Sequence, residues 1–246
     1  MFPIQDGVAK RYPPLMTWLL IGLNVGMFLI EAGLPPPERE QFLLTWGLVP
    51  ARYFDPAYAA SSGLLDYAPF LTNAFLHGGL FHILVNMWTL WIFGPAVEDR
   101  LGHARYLAFY LLTAIAASLA HALANPHSLV PAIGASGAIA GVIGCYVRLF
   151  PLARLVMVVP ILFFPFFFEI PAAFFALLWF VSQLIPGLLT LGREVGGIAW
   201  WAHIGGFVAG YLLTPLLHRP RSGFRPFYGD EGWYGFSPDG RRLGRW

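Results

Sequence analysis

Six apolar stretches, at about 15–33, 79–97, 105–124, 134–149, 170–189 and 199–217, dominate this chain of 246 residues. A helix needs about 20 predominantly apolar residues to cross the ~30 Å hydrocarbon layer of a bilayer. Each stretch approaches that length, the fourth being short. Composition narrows the choice further: 57% of the residues are hydrophobic and 11% are charged, against roughly 25% charged in ordinary soluble domains. A chain so poor in charge cannot coat a globular surface with polar groups, so lipid is its expected solvent. The expected fold class is an all-α polytopic membrane protein, a bundle of six transmembrane helices.

The formal charge of +2 gives no argument for a nucleic-acid partner. The single cysteine, Cys145, excludes an intrachain disulfide framework and reads as a small buried residue in an apolar run. Lys10 and Arg11 precede the first apolar run in the manner of a signal peptide. No small-x-small cleavage site stands out, however, so the run reads as an uncleaved first span.

One apolar segment, Leu155 to Phe168, is short for a span and is interrupted by Pro160 and Pro165. Charge decides its placement, because Lys and Arg concentrate in cytoplasmic loops. With six spans and the N-terminus inside, twelve of the fifteen basic residues fall on the inner side and only Arg39, Arg52 and Arg193 outside. A seventh span would move the Arg-rich tail outward. Segment 155–168 is therefore expected as a hydrophobic loop at the inner face. The resulting organisation is a cytoplasmic segment 1–14, a six-helix membrane domain 15–217 and a flexible cytoplasmic tail 218–246. No organelle-targeting segment is recognisable, which points to a prokaryotic plasma membrane.

Polar residues inside spans are costly and default to functional hypotheses. With six spans, the second, fourth and sixth run in the same direction. Their outer ends carry His82 and Asn86, Gly134-Ala135-Ser136-Gly137, and Ala202-His203. Three segments thus deliver His, Asn, Ser and His to one depth. An isolated serine at a helix start is ordinarily an N-cap. Here Gly134 and Gly137 leave room for a substrate backbone, and the first turn offers unpaired N–H groups suited to an oxyanion. His203, Gly206 and Gly210 share one helical face, and Gly137, Gly141 and Gly144 share another. Small-residue faces let helices approach closely in lipid, which would bring His203 to Ser136 as its general base. His82 and Asn86, four apart, are either a polar tie between helices or donors to the oxyanion. No third triad member is apparent, since the nearest acid before His203 is Glu194, so the expectation is a Ser-His dyad. The histidines do not fall at metal-ligand spacing, and neither a metal nor another cofactor is expected.

These residues resemble the rhomboid family of intramembrane serine proteases. The matching text is His77-Gly-Gly-Leu-Phe-His82-Ile-Leu-Val-Asn86, Gly94-Pro-Ala-Val-Glu98-Asp-Arg100-Leu-Gly102, Gly134-Ala-Ser136-Gly137 and Ala202-His203-Ile-Gly-Gly206-Phe-Val-Ala-Gly210. Each motif is weak alone; four in the family's order and spacing, over about 69–217, are specific. The resemblance implies a six-helix core, catalytic Ser136 and His203, and an oxyanion hole of His82, Asn86 and the Ser136 amide. It further implies structural roles for Glu98 and Arg100 at the inner end of the second span. The chain departs from the family twice. Many members carry a Trp-Arg pair in the first loop where this chain reads Ala68-Pro69, so that loop is expected to pack differently. Some place an aromatic one turn after the serine, where this chain has Ala140, so another group must hold the imidazole.

The implied reaction is hydrolysis of a peptide bond in or beside a transmembrane helix of another membrane protein, with that substrate and the lipid bilayer as partners. The fifth span, with Phe174 to Phe180, reads either as part of a lateral gate or as lipid contact. Two rivals remain: a catalytically silent binder of membrane clients, and a transporter. The second would place coupled charges near the midplane, where this sequence offers only Glu169, at a span boundary.

Overall fold

The computed structural model describes residues 2–54, 63–161, 164–191 and 198–218. The expected tail beyond His218 lies outside the described residues, as do Arg193 and Glu194. The chain opens with strand β1 (Phe2–Asp6) and helix α1 (Leu15–Gly33). Three short helices follow on one side: α2 (Pro36–Trp46), α3 (Ala51–Phe54) and α4 (Pro69–Thr72). Then come α5 (Leu80–Leu101), α6 (His103–Ala124) and α7 (Ser136–Leu149). Strands β2 (Arg154–Ile161) and β3 (Phe164–Pro171) precede α8 (Ala172–Leu189) and α9 (Trp200–Leu217). Four of these helices, α1, α5, α6 and α8, are long and apolar enough to cross a membrane by length and composition; α7, with 14 residues, is shorter.

The all-α expectation needs correction, because a small sheet completes the mostly helical fold. Within segment 155–168, residues 155–161 and 164–168 lie in two paired antiparallel strands and not in an irregular loop, and β1 joins them to make a sheet in the order β1-β2-β3. The two prolines that read as breakers lie opposite each other, Pro160 against Pro165, near the end of the β2–β3 pairing and past the end of the β1 pairing at Val158. Among the described residues only one neighbour strand pairs there, so the missing N–H groups cost little. Alternation explains the rest: Leu155 and Met157 point into the core while Arg154 pairs outward with Glu169 (3.3 Å).

The sheet and the motif around Glu98 fasten the inner ends of the helices. The buried Glu98 carboxylate accepts the backbone N–H of Met16 and of Thr17, both at 2.8 Å, and the Thr17 hydroxyl at 2.7 Å. These amides belong to the first turn of α1, whose donors have no intrahelical partner and whose dipole end favours an anion. His103 Nδ1 meets the same carboxylate at 2.6 Å. Asp99 accepts the amides of Arg11 and Tyr12 at 2.8 and 2.9 Å. Arg100 is buried with its guanidinium 5.0 Å from the centre of the Phe150 ring. Gly102, at φ +79°, turns the chain directly from α5 into α6.

The first loop is anchored without a Trp-Arg pair. Glu31, at the end of α1, accepts the amide of His77 at 3.2 Å. Thr72 donates to the Trp46 carbonyl (2.7 Å), Leu48 bridges Ala132, and Tyr53 packs edge-on against Phe70.

Candidate active site

The site grows out of the crossing of α7 and α9. Backbone contact there is direct: a Cβ added to Gly206 would lie 2.0 Å from the Gly137 carbonyl oxygen, and one added to Gly210 2.0 Å from that of Gly141. A Cβ on Gly144 would meet the Phe207 carbonyl at 2.3 Å. The two glycine faces therefore interlock, as small residues permit in lipid, and they fix the start of α9 beside the start of α7.

Ser136 is the first residue of α7. The capping position is Ala135, and no side chain caps the helix. The ordinary N-cap role for this serine thus does not apply. Its Oγ lies 2.7 Å from Nε2 of His203, across 67 residues of sequence. The approach to the helix passes through Gly134, whose φ of +127° is a left-handed-side conformation that residues with a Cβ rarely adopt. Its amide is tied to the Asn73 carbonyl (2.9 Å). A Cβ on Gly134 would sit 2.7 Å from His82 Nε2 and 3.6 Å from Ser136 Oγ, so the His82 ring lies directly over this turn.

The Gly78 amide points at Nδ1 of His82 (3.4 Å). That leaves Nε2–H of His82 as the donor facing the serine turn. Asn86, one turn further along α5, is buried, and its side-chain Nδ2 has no hydrogen-bond partner among the described residues. A narrow cavity of about 20 Å³ adjoins Ser136, bounded by Asn73, Ser118, Gly134 and Ala202. It has room for about one water molecule and polar groups to hold it.

Beside these residues the structure places one that the sequence reading passed over. Gln183 of α8 is buried and its Oε1 lies 2.7 Å from Nδ1 of His203. The Trp179 ring flanks the imidazole at 6.1 Å and Trp200 stands edge-on at 6.4 Å, centre to centre. These three groups occupy the role left open at Ala140. The signal was available, since a carboxamide inside an apolar span is as costly as the Asn86 that drew attention. In the fifth span Phe174 is exposed, whereas Phe175 stacks on Phe93 (5.6 Å) and Phe180 packs on Phe207 (5.0 Å).

Outside the spans, His77 is buried at the rim of the site with its ring 5.1 Å from that of His82. Burial, aided by His82, pushes its pKa down to about 4.

A Rhomboid domain family model matches residues 65–220. The chain is 29% identical over 208 residues to Rhomboid protein 1, mitochondrial, of Saccharomyces cerevisiae, covering 82% of this chain and 53% of that protein. It is 26% identical over 224 residues to Rhomboid protease GluP of Bacillus subtilis, covering 89% and 38%. It is 30% identical over 161 residues to RHOMBOID-like protein 6, mitochondrial, of Arabidopsis thaliana, covering 64% and 46%. The chain thus spans about half or less of the length of these curated relatives. Their names are mitochondrial, plant and bacterial, so the kinship gives the membrane without giving the organelle. With its apolar helices, its four ordered motifs and a domain match over more than half its length, this integral membrane protein belongs to the rhomboid family.

Proposed function

We propose that the chain is an intramembrane serine endopeptidase whose dyad is Ser136 and His203. The observation that carries the reading is the 2.7 Å contact between Ser136 Oγ and His203 Nε2, made by two helices locked together through their glycines. Neutral His203 takes the Ser136 proton as Oγ attacks a substrate carbonyl, then returns it to the leaving amine. The developing oxyanion is held by the Ser136 amide at the free end of α7, by His82 Nε2–H and by the Asn86 carboxamide. Water, for which the cavity beside Ser136 has room, then hydrolyses the acyl-enzyme with His203 again as base. Gly134, Gly137, Gly141, Gly206 and Gly210 keep the approach open and the helices close.

The substrates are transmembrane segments of other proteins. A helix in lipid hides its carbonyls in hydrogen bonds, so segments with weak helix formers near the boundary are favoured. The membrane domain is residues 15–217, with α1, α5, α6, α7, α8 and α9 as its six spans. The distribution of Lys and Arg supports placing both termini on the cytoplasmic side.

The test is labelling of the purified, folded protein by a fluorophosphonate probe. Wild type is expected to label, and Ser136→Ala and His203→Ala to lose labelling. A folded wild type that stays unlabelled in several lipids would leave the chain as a silent binder of membrane clients.

A further inference from the structure

The histidine of a serine dyad works in one tautomer only, with its proton on Nδ1 and the lone pair of Nε2 free to accept from serine. A chain of hydrogen bonds with a fixed direction determines which nitrogen carries the proton. Such a chain runs through α8. Ser182 Oγ lies 2.6 Å from the Trp179 carbonyl oxygen. A carbonyl only accepts, so Ser182 spends its single proton there. Gln183 Nε2 lies 2.8 Å from the same Oγ. That oxygen has only lone pairs left, so Gln183 must turn its NH₂ towards Ser182 and its C=O towards His203. The Oε1–Nδ1 contact of 2.7 Å is then Nδ1–H donating to Oε1. Nε2, 2.7 Å from Ser136 Oγ, is left as the acceptor. Reversing the amide would set two acceptors, the Trp179 carbonyl and Gln183 Oε1, against Ser182's single proton and press NH₂ against Nδ1, which fixes the unproductive tautomer.

We propose that Ser182 and Gln183 form a directional relay that holds His203 in the tautomer able to deprotonate Ser136, with Gln183 as the positioning residue. The proposal rests on the protease reading for its purpose, but not for its geometry. Neutral Gln183 takes the place that a carboxylate occupies in a Ser-His-Asp triad, and a neutral acceptor is the cheaper choice inside a span. Ser182 is exposed on the outer side of α8, where lipid offers its hydroxyl no competing partner and the bond to Trp179 is kept.

The experiment uses the full chain, selectively ¹⁵N-labelled at histidine, in detergent or bicelles, with His203→Ala to assign the resonances. Wild type is expected to show Nδ1 protonated and Nε2 bare. Gln183→Leu should lose this preference and cut the maximal rate of fluorophosphonate labelling about ten-fold, the worth of one neutral hydrogen bond, with probe affinity unchanged. Should Gln183→Leu fail to fold, Ser182→Ala serves instead, since it leaves Gln183 in place and removes only the group that orients the amide. It should shift the tautomer balance in the same direction, and Ser182→Thr, which retains the hydroxyl, should restore it. A protonated Nε2 in wild type, or an unchanged tautomer in both Gln183→Leu and Ser182→Ala, overturns the relay. A wild type that has the expected tautomer yet never labels leaves the relay standing and defeats the protease reading alone.

Discussion

Helices α7 and α8 both pack on α9, and they do so in opposite ways. The α7 contact is backbone on backbone. Gly137 to Tyr146 are buried without a break, and the two glycine crossings leave no space for a single added carbon. The α8 contact is a thin stripe. Its buried residues are Ala172, Ala176, Gln183 and Gly187, while Leu177, Leu178 and Leu188 face outward. The difference teaches a division of labour. The seam between α7 and α9 sets where Ser136 and His203 stand, and α8, held by fewer contacts, contributes the bond that sets how the imidazole is turned. Position is built from the least adjustable atoms in the chain and orientation from a side chain that can move.

The largest effect should come from the seam. Gly206→Ala and Gly210→Ala each drive a methyl group to 2.0 Å from a carbonyl oxygen of α7. No rotamer relieves such a clash, since both atoms are anchored to helix backbone, so the helices must separate. Overpacking commonly costs about 1–3 kcal/mol, and with backbone on both sides about 3 kcal/mol or more is expected. Separation also breaks the 2.7 Å dyad contact, so probe labelling should fall by roughly 10²-fold or more, in keeping with the cost of small misplacement at a reacting pair. Thermal unfolding in detergent and labelling rates check both. A Gly210→Ala protein with native stability and rate would end the idea that the seam fixes position.

This asymmetry explains what could and could not be read in the sequence. The glycine faces were legible because helical period makes i, i+3 and i+7 neighbours whatever the tertiary structure. Ser136 and His203 stood out because flanking glycines and a shared depth at the ends of two spans set them apart from an ordinary N-cap and a lone structural histidine. Gln183 is a strongly polar group in an apolar span, yet its partner lies twenty residues away on another helix, and no local pattern joins them. The paired strands β2 and β3 were misread for a different reason. Pro160 and Pro165 look like breakers along a single strand, and become harmless only when set opposite each other where, among the described residues, no third strand pairs. Likewise the strand character of residues 2–6 exists only through pairing with β2, which the N-terminal segment alone does not announce.

A smaller effect should separate the seam from the outer rim by acid. The glycine crossings carry no titratable group, whereas the rim holds buried His77 with its pKa pushed down to about 4 from an ordinary 6.5. Between those values the unfolded chain binds a proton that the folded chain refuses. The contribution of His77 to stability is therefore complete above pH 6.5 and declines as pH falls towards 4, by at most about 1.4 kcal/mol per pH unit. The groups around His77 are Glu31, whose carboxylate accepts its amide, Arg39, whose guanidinium reaches its carbonyl at 3.5 Å, and the ring of His82. His77→Leu should flatten the loss of melting temperature between pH 6.5 and 4.5. An equally steep decline in that variant would place the acid sensitivity elsewhere.

The smallest effect belongs to α8, and it sharpens the contrast most directly because the substitution is the same one. In Gly187→Ala the new methyl lies 3.2 Å from Ile204 Cδ1 and 3.3 Å from Trp200 Cβ. The first is the free end of a flexible side chain, and a shift of a few tenths of an ångström accommodates it. Against that small cost stands the gain of alanine over glycine within a helix, about 1 kcal/mol. The two nearly cancel, so melting temperature and labelling rate should stay near wild type. The one point of tension is the Gly187 carbonyl, which accepts the Trp201 indole N–H at 3.2 Å. Trp201 sits two residues before His203, so a loosened indole would surface as a small rate loss with stability unchanged. A Gly187→Ala protein as damaged as Gly210→Ala would mean that α8 is as rigidly seated as α7, and the separation of position from orientation between the two helices would fail.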